Sequence, residues 1–105
     1  MSELDDNAAQ REAVRMLRGG ILRALQRVLE SGTLATLLYL RRVLRPENER
    51  LLREALSYLL AAGYVAATEN RLDARDTSPL VTYKLTAPGM QLVEGVLTDA
   101  SVVLD

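Results

Sequence analysis

Apolar positions recur at helical spacing through most of this chain, with two short runs that alternate instead. From Asn7, a good N-cap, Val14, Leu17, Ile21, Ala24, Leu25 and Val28 share one face at about 100° per residue, and Glu30-Ser31-Gly32 ends the run. Gly19-Gly20 interrupts this helix at a cost of about 1 kcal/mol per Gly relative to Ala. The pair therefore predicts a kink or a place where another helix crosses closely. It is not a phosphate-cradling loop, because no strand precedes it and no GxGxxG or GKS/GKT string follows. Ser31 or Thr33 can cap a second, shorter helix through LATLLYLRRVL.

Pro46 suits the first position of a third helix, with Glu47 and Glu49 in its first turn and Gly63 as its stop. Leu51, Leu52, Ala55, Leu56, Leu59 and Ala62 form its apolar face, and Arg50, Arg53 and Ser57 form the opposite ridge. The joint before it, around Leu44-Arg45, is short. A short helix tightly joined to a longer one outlines a helix-turn-helix.

Tyr64–Thr68 and Leu80–Leu85 read as two strands, joined by the polar segment NRLDARDTSP into a β-hairpin. Thr86 can cap a last short helix from Ala87-Pro88 to about Gly95. In the tail, Val102-Val103-Leu104 is either an added strand or an arm packing on a partner. The expected architecture is mainly α with a small β-hairpin wing, an α+β winged helix-turn-helix. The domain spans residues 7–95, with an acidic lead at 1–6 and a tail at 96–105.

Composition narrows the chemistry. The chain has 105 residues, enough for one domain with a single core, and its only aromatic residues are four Tyr. Leu, Val and Ala must therefore fill that core. It has neither Cys nor His, which removes thiolate and imidazole ligands and nucleophiles together. No calcium-loop pattern is present either. The expectation is no catalytic site, no metal and no cofactor. No apolar run reaches the roughly 18–20 residues that span a bilayer, and the acidic start MSELDDNAAQ does not read as a secretory signal. No membrane partner is expected, and the cytoplasm is the expected location.

Net charge is −1, but its distribution is uneven. All thirteen basic groups, twelve of them Arg, lie in residues 7–85, which hold only eight of the fourteen acids and so carry a net +5. A basic body with acidic ends permits DNA binding without requiring it.

Two strings in the second half carry a resemblance. Leu60-Ala61-Ala62-Gly63-Tyr64-Val65 is similar to the LxxxGLV junction between recognition helix and wing in winged helix-turn-helix proteins. Tyr83-Lys84-Leu85-Thr86-Ala87-Pro88-Gly89 resembles the YxLTxxG that ends the wing in MarR-like and PadR-like regulators. Ile21–Leu25 (ILRAL) and Leu85–Gly95 (LTAPGMQLVEG) resemble a family of small uncharacterised winged-helix proteins of Mu-like prophages. This chain departs from them in its longer lead and acidic tail. The prophage resemblance implies a phage or prophage origin and no established activity, and the likeness to MarR-like and PadR-like regulators implies transcription regulation.

In a winged helix-turn-helix the second helix of the motif enters the major groove and the wing touches backbone or minor groove. Bound to double-stranded DNA, this chain would turn Arg50, Arg53 and Ser57 to bases and phosphates, with Asn48 near the helix start. Arg41, Arg42 and Arg45 would lie by the backbone, and Arg71 and Arg75 would reach out from the wing. Against this, residues 46–62 hold two Arg against Glu47, Glu49 and Glu54, and Arg71 and Arg75 are offset by Glu69, Asp73 and Asp76. The ridge reads equally as a solvated face stitched by Glu49–Arg53 and Arg50–Glu54 pairs. The alternative function is therefore a protein-interaction adaptor of phage origin, docking through the tail or the Leu22–Leu29 face, for which ordinary core is the simpler reading. Homodimerisation fits either function. It would use helix 1, where Arg11, Arg15 and Arg18 form an edge that reads as a solvated stripe, and the segment after Gly89.

Overall fold

Four helices and one two-stranded antiparallel sheet make up the computed structural model, which describes residues 3–71 and 79–104. The order is α1 (Glu3–Ser31), α2 (Leu37–Leu44), α3 (Glu49–Ala61), β1 (Val65–Asn70), β2 (Leu80–Leu85) and α4 (Ala87–Val93). Helix α1 packs on α2, α3, α4 and β2. Among the described residues no helix is long and apolar enough to cross a membrane.

Helix α1 starts at Glu3, so Asn7 lies inside it rather than capping it. Gly19-Gly20 does not break the helix. A Cβ on Gly19 would sit 1.7 Å from the carbonyl oxygen of Val103, so the Gly is required by a close backbone crossing. The element that crosses is the C-terminal tail, not another helix.

The polar breaks fall later than the sequence suggests. Thr36, not Ser31 or Thr33, caps α2, its hydroxyl accepting from the Tyr39 amide at 3.1 Å. Ala35 is first drawn into a backbone bridge, accepting from the Tyr83 N–H at 2.8 Å, so α2 cannot begin before it. Pro46 does not start α3. Asn48 caps that helix, accepting from the Leu51 amide at 2.9 Å, and Glu47 lies outside it. Pro46 instead helps close α2, because a residue before proline disfavours right-handed helix; Arg45 takes a left-handed conformation with φ of 47°.

The core is almost wholly aliphatic. Ile21, Leu22 and Leu25 of α1, Leu40 of α2, and Leu52 and Leu59 of α3 are its largest fully buried side chains. The expected faces of α1 and α3 are the buried ones, with two differences. Leu22 is core while Leu29 is exposed, and Ala62, the residue after α3, is exposed. Gly63, with φ of 84°, turns the chain out of α3: Tyr64 donates to the Leu59 carbonyl and Gly63 to that of Leu60. The turn feeds β1, which runs two residues beyond the expected strand and pairs with β2 from Val65↔Leu85 to Asn70↔Leu80. Thr86 then caps α4 through the Gly89 amide, and its own amide donates to the Tyr64 carbonyl at 3.0 Å. A Cβ on Gly89 would lie 2.1 Å from that same carbonyl, so α4 docks on the α3–β1 turn by backbone contact.

Among the described residues the tail adds no strand to the sheet; it folds back on α1. Val102 is buried in the core, and the Val103 amide donates to the Arg15 carbonyl at 3.0 Å. Arg18 donates from Nη1 to the Ser101 carbonyl at 2.9 Å.

Candidate nucleic-acid interface

Helices α2 and α3 present one arginine-bearing surface, because the left-handed Arg45 and the capped start of α3 bring the end of one beside the start of the other. Arg41 and Arg42 lie in the last turn of α2, where the helix dipole favours cations. Arg45 closes that helix. One turn into α3 stand Arg50 and Arg53, and Ser57 follows on the same ridge. All six side chains are exposed.

The acids lie on the same surface. Glu49 Oε1 is 3.7 Å from Arg41 Nη1 and 3.5 Å from Arg53 Nη2, so one carboxylate links the two helices. Arg50 Nη1 is 3.6 Å from Glu54 Oε1. These are open, solvated pairs, worth about 0–1 kcal/mol each. Arg42 and Arg45 have no ion pair among the described residues. The surface thus sets five Arg against Glu47, Glu49 and Glu54. Asn48 has its side-chain oxygen committed to the cap of α3. The residue itself is exposed.

On the hairpin, Arg71 follows β1 directly and is exposed. Arg75, with Asp73 and Asp76, lies outside the described residues, so the balance of charge at the hairpin tip is not part of this geometry.

A second group of cations was not evident from local pattern. Arg15 and Arg18 are half-buried, not a solvated stripe. Arg15 pairs with Glu12 and reaches the Ala100 carbonyl at 3.4 Å; Arg18 stacks over the Tyr58 ring with its guanidinium carbon 4.0 Å from the centroid. Beside them, Asp99 accepts from the hydroxyls of Tyr58 at 2.6 Å and Tyr64 at 2.9 Å. Burial alone pushes the Asp99 carboxyl up. Hydrogen bonds from Tyr58, the Ser101 amide and Tyr64, with the nearby Arg18 charge, outweigh it and hold the group below its ordinary range. Both phenols are raised, first by their hydrogen bonds to Asp99 and then by burial. The signal available in sequence was the Arg11, Arg15, Arg18 spacing along one helix edge; what covers that edge depends on a contact more than eighty positions away.

Compared with family models, curated proteins and solved structures, the chain gives no match in any of the three.

Proposed function

We propose that this chain is a winged helix-turn-helix module that binds double-stranded DNA through the surface shared by α2 and α3, with the β1–β2 hairpin as its wing. The observation that carries this reading is the gathering of Arg41, Arg42, Arg45, Arg50 and Arg53 on two adjoining helices joined through Glu49. Against the three acids of that surface they leave a net +2. The intervening ion pairs are exposed and long, so a phosphate can displace a carboxylate at little cost. Arg50, Arg53 and Ser57 are the base- and phosphate-reaching side chains, Arg41, Arg42 and Arg45 the backbone contacts, and Arg71 and Arg75 the wing contacts. The strings at Leu60–Val65 and Tyr83–Gly89 support a transcription regulator, and those at Ile21–Leu25 and Leu85–Gly95 a phage or prophage origin.

One observation favours a second reading. Arg41, Arg50 and Arg53 each already face a Glu, and a mixed-charge surface suits a protein partner. On that reading the same face is the docking surface of an adaptor, another phage protein being its partner. A homodimer serves either function. Since the tail covers the Arg15–Arg18 edge of α1, a second copy would use the opposite side, where Met16 is exposed. Sedimentation at micromolar concentration reads this directly, and a clean monomer removes it.

Binding to mixed-sequence duplex DNA across a salt series separates the two functions. The DNA reading expects binding that weakens steeply with salt, and a shallower slope for Arg50→Ala/Arg53→Ala. No binding at low salt sinks it. Equal binding by the double variant moves the site elsewhere.

A further inference from the structure

Where the last turns of α1 meet the hairpin, a cleft of about 360 Å³ opens between that helix, the α1–α2 link and the sheet. Leu25, Val28 and Leu29 line it from the helix and Leu34 from the link. Leu25 and Val28 are buried, whereas Leu29 stays 46% exposed and Leu34 66% exposed. From the sheet come Thr68, Thr82 and Lys84. Lys84 is the one charged residue lining the cleft, and it makes no ion pair among the described residues. The other charges close in sequence lie on other faces. Helical geometry sets Arg27 and Glu30 about 150° around α1 from the centre of Leu25, Val28 and Leu29. Strand alternation turns Glu69 to the face opposite Thr68 and Thr82.

We infer that this cleft binds an aliphatic monocarboxylate of medium chain length. The single unpaired ammonium of Lys84 sets the head group, because a compact point charge matches one negative charge and not a dianion. The aliphatic lining sets the body. A hydrocarbon chain lying across Leu29 and Leu34 removes apolar surface from water that the fold itself leaves exposed. Size sets the length: the cleft is near the lower end of the roughly 300–1,000 Å³ of small-molecule sites, enough for one short chain.

The local structure holds the cleft open. Gly32, with φ of 74°, turns the chain out of α1, and the Tyr83 amide donating to the Ala35 carbonyl pins the link to β2. Both devices are part of the fold, so little ordering remains to be done on binding. The polar groups around the cleft favour a hydrocarbon chain over a peptide. The Thr33 hydroxyl is paired with Ser31, the Thr82 hydroxyl accepts from Asn70, and the Ala35 carbonyl is taken by Tyr83. A peptide would bring amides that find few partners here, whereas an aliphatic chain needs none. The inference does not depend on whether the α2–α3 surface binds DNA.

The test is calorimetric titration of the full chain with octanoate, octylamine and octanol, at concentrations where none of them aggregates. Saturable one-to-one binding of octanoate is expected, at least tenfold tighter than either of the others. Lys84→Gln should bring octanoate down to the level of octanol. Leu34→Ser should weaken octanoate and octanol alike, at least threefold. Both residues are exposed, so the variants should melt with the wild type. Met16→Ser, which alters an exposed apolar residue on the other half of α1, should change neither affinity. Absence of saturable octanoate binding overturns the inference, as does equal binding of all three amphiphiles or wild-type affinity in either cleft variant. A final arm uses N-acetyl-valyl-leucine with a free carboxylate. Binding weaker than that of octanoate supports the aliphatic ligand, whereas tighter binding reassigns the cleft to a protein C-terminus and overturns it.

Discussion

Two groups of arginine in this molecule do opposite things with the same side chain. Arg15 and Arg18 are half-buried, donate to carbonyls of the tail, and help hold the last residues against α1. Arg41, Arg50 and Arg53 are exposed and make only long, solvated pairs with Glu49 and Glu54. The first group should matter for stability and little for DNA binding. The second should matter for partners and little for stability. Burial is what separates them, since charge-assisted hydrogen bonds gain strength as water is removed and exposed ion pairs do not.

The largest expected effect comes from forcing the tail off α1. Gly19→Ala improves helix propensity by about 1 kcal/mol, yet its Cβ would sit 1.7 Å from the Val103 carbonyl. We expect a net loss of about 1–3 kcal/mol, read by urea denaturation, because backbone must move to admit the methyl. A gain in stability would show that the tail is not held at Gly19.

Next comes the anchor of that tail. Asp99→Asn keeps the shape but removes the charge accepting from Tyr58 and Tyr64, and should cost about 1–2 kcal/mol at neutral pH. The pH dependence has a definite sign. Because the folded-state pKa of Asp99 lies below its ordinary 3.8, its stabilisation is complete above that value and is lost as pH falls through the lower folded value. Thermal denaturation of wild type and Asp99→Asn should therefore converge in strong acid. A gap that stays constant down to pH 2 would remove the carboxylate from the account.

Asn48→Ala should cost about 1 kcal/mol through loss of the cap on α3. It should lower DNA affinity only as far as it frays that helix. A selective loss of binding at unchanged stability would instead make Asn48 a direct contact.

Smallest in stability is Glu49→Gln, within about 0.5 kcal/mol of wild type, because both of its pairs are exposed. It should nevertheless tighten DNA binding and steepen the salt slope, since it frees Arg41 and Arg53 together. Unchanged binding would favour the adaptor.

The contrast also explains what could be read from the chain. The third helix, its stop at Gly63, strand β2 and the Thr86 cap followed from local rules, because each depends on residues within one turn. Mainly helical architecture with a small hairpin followed from the same rules. The caps at Thr36 and Asn48 did not, because several residues nearby could cap and a tertiary bridge at Ala35 decided between two of them. Gly19 was legible as a close crossing, but the crossing element was not, since Val103 lies at the other end of the chain. Arg15 and Arg18 looked like a solvated stripe for the same reason. The outward ridge on α3 was legible because exposure on a helix is local; what it binds is not encoded locally at all.

The most direct test of the central claim maps the bound surface residue by residue. Backbone amide shifts should be followed by NMR as duplex DNA is titrated into the labelled full chain at low salt. The account predicts perturbations centred on Arg41–Ser57, with little change in Asp99–Leu104. No perturbation at low salt, or one centred away from α2 and α3, would contradict it.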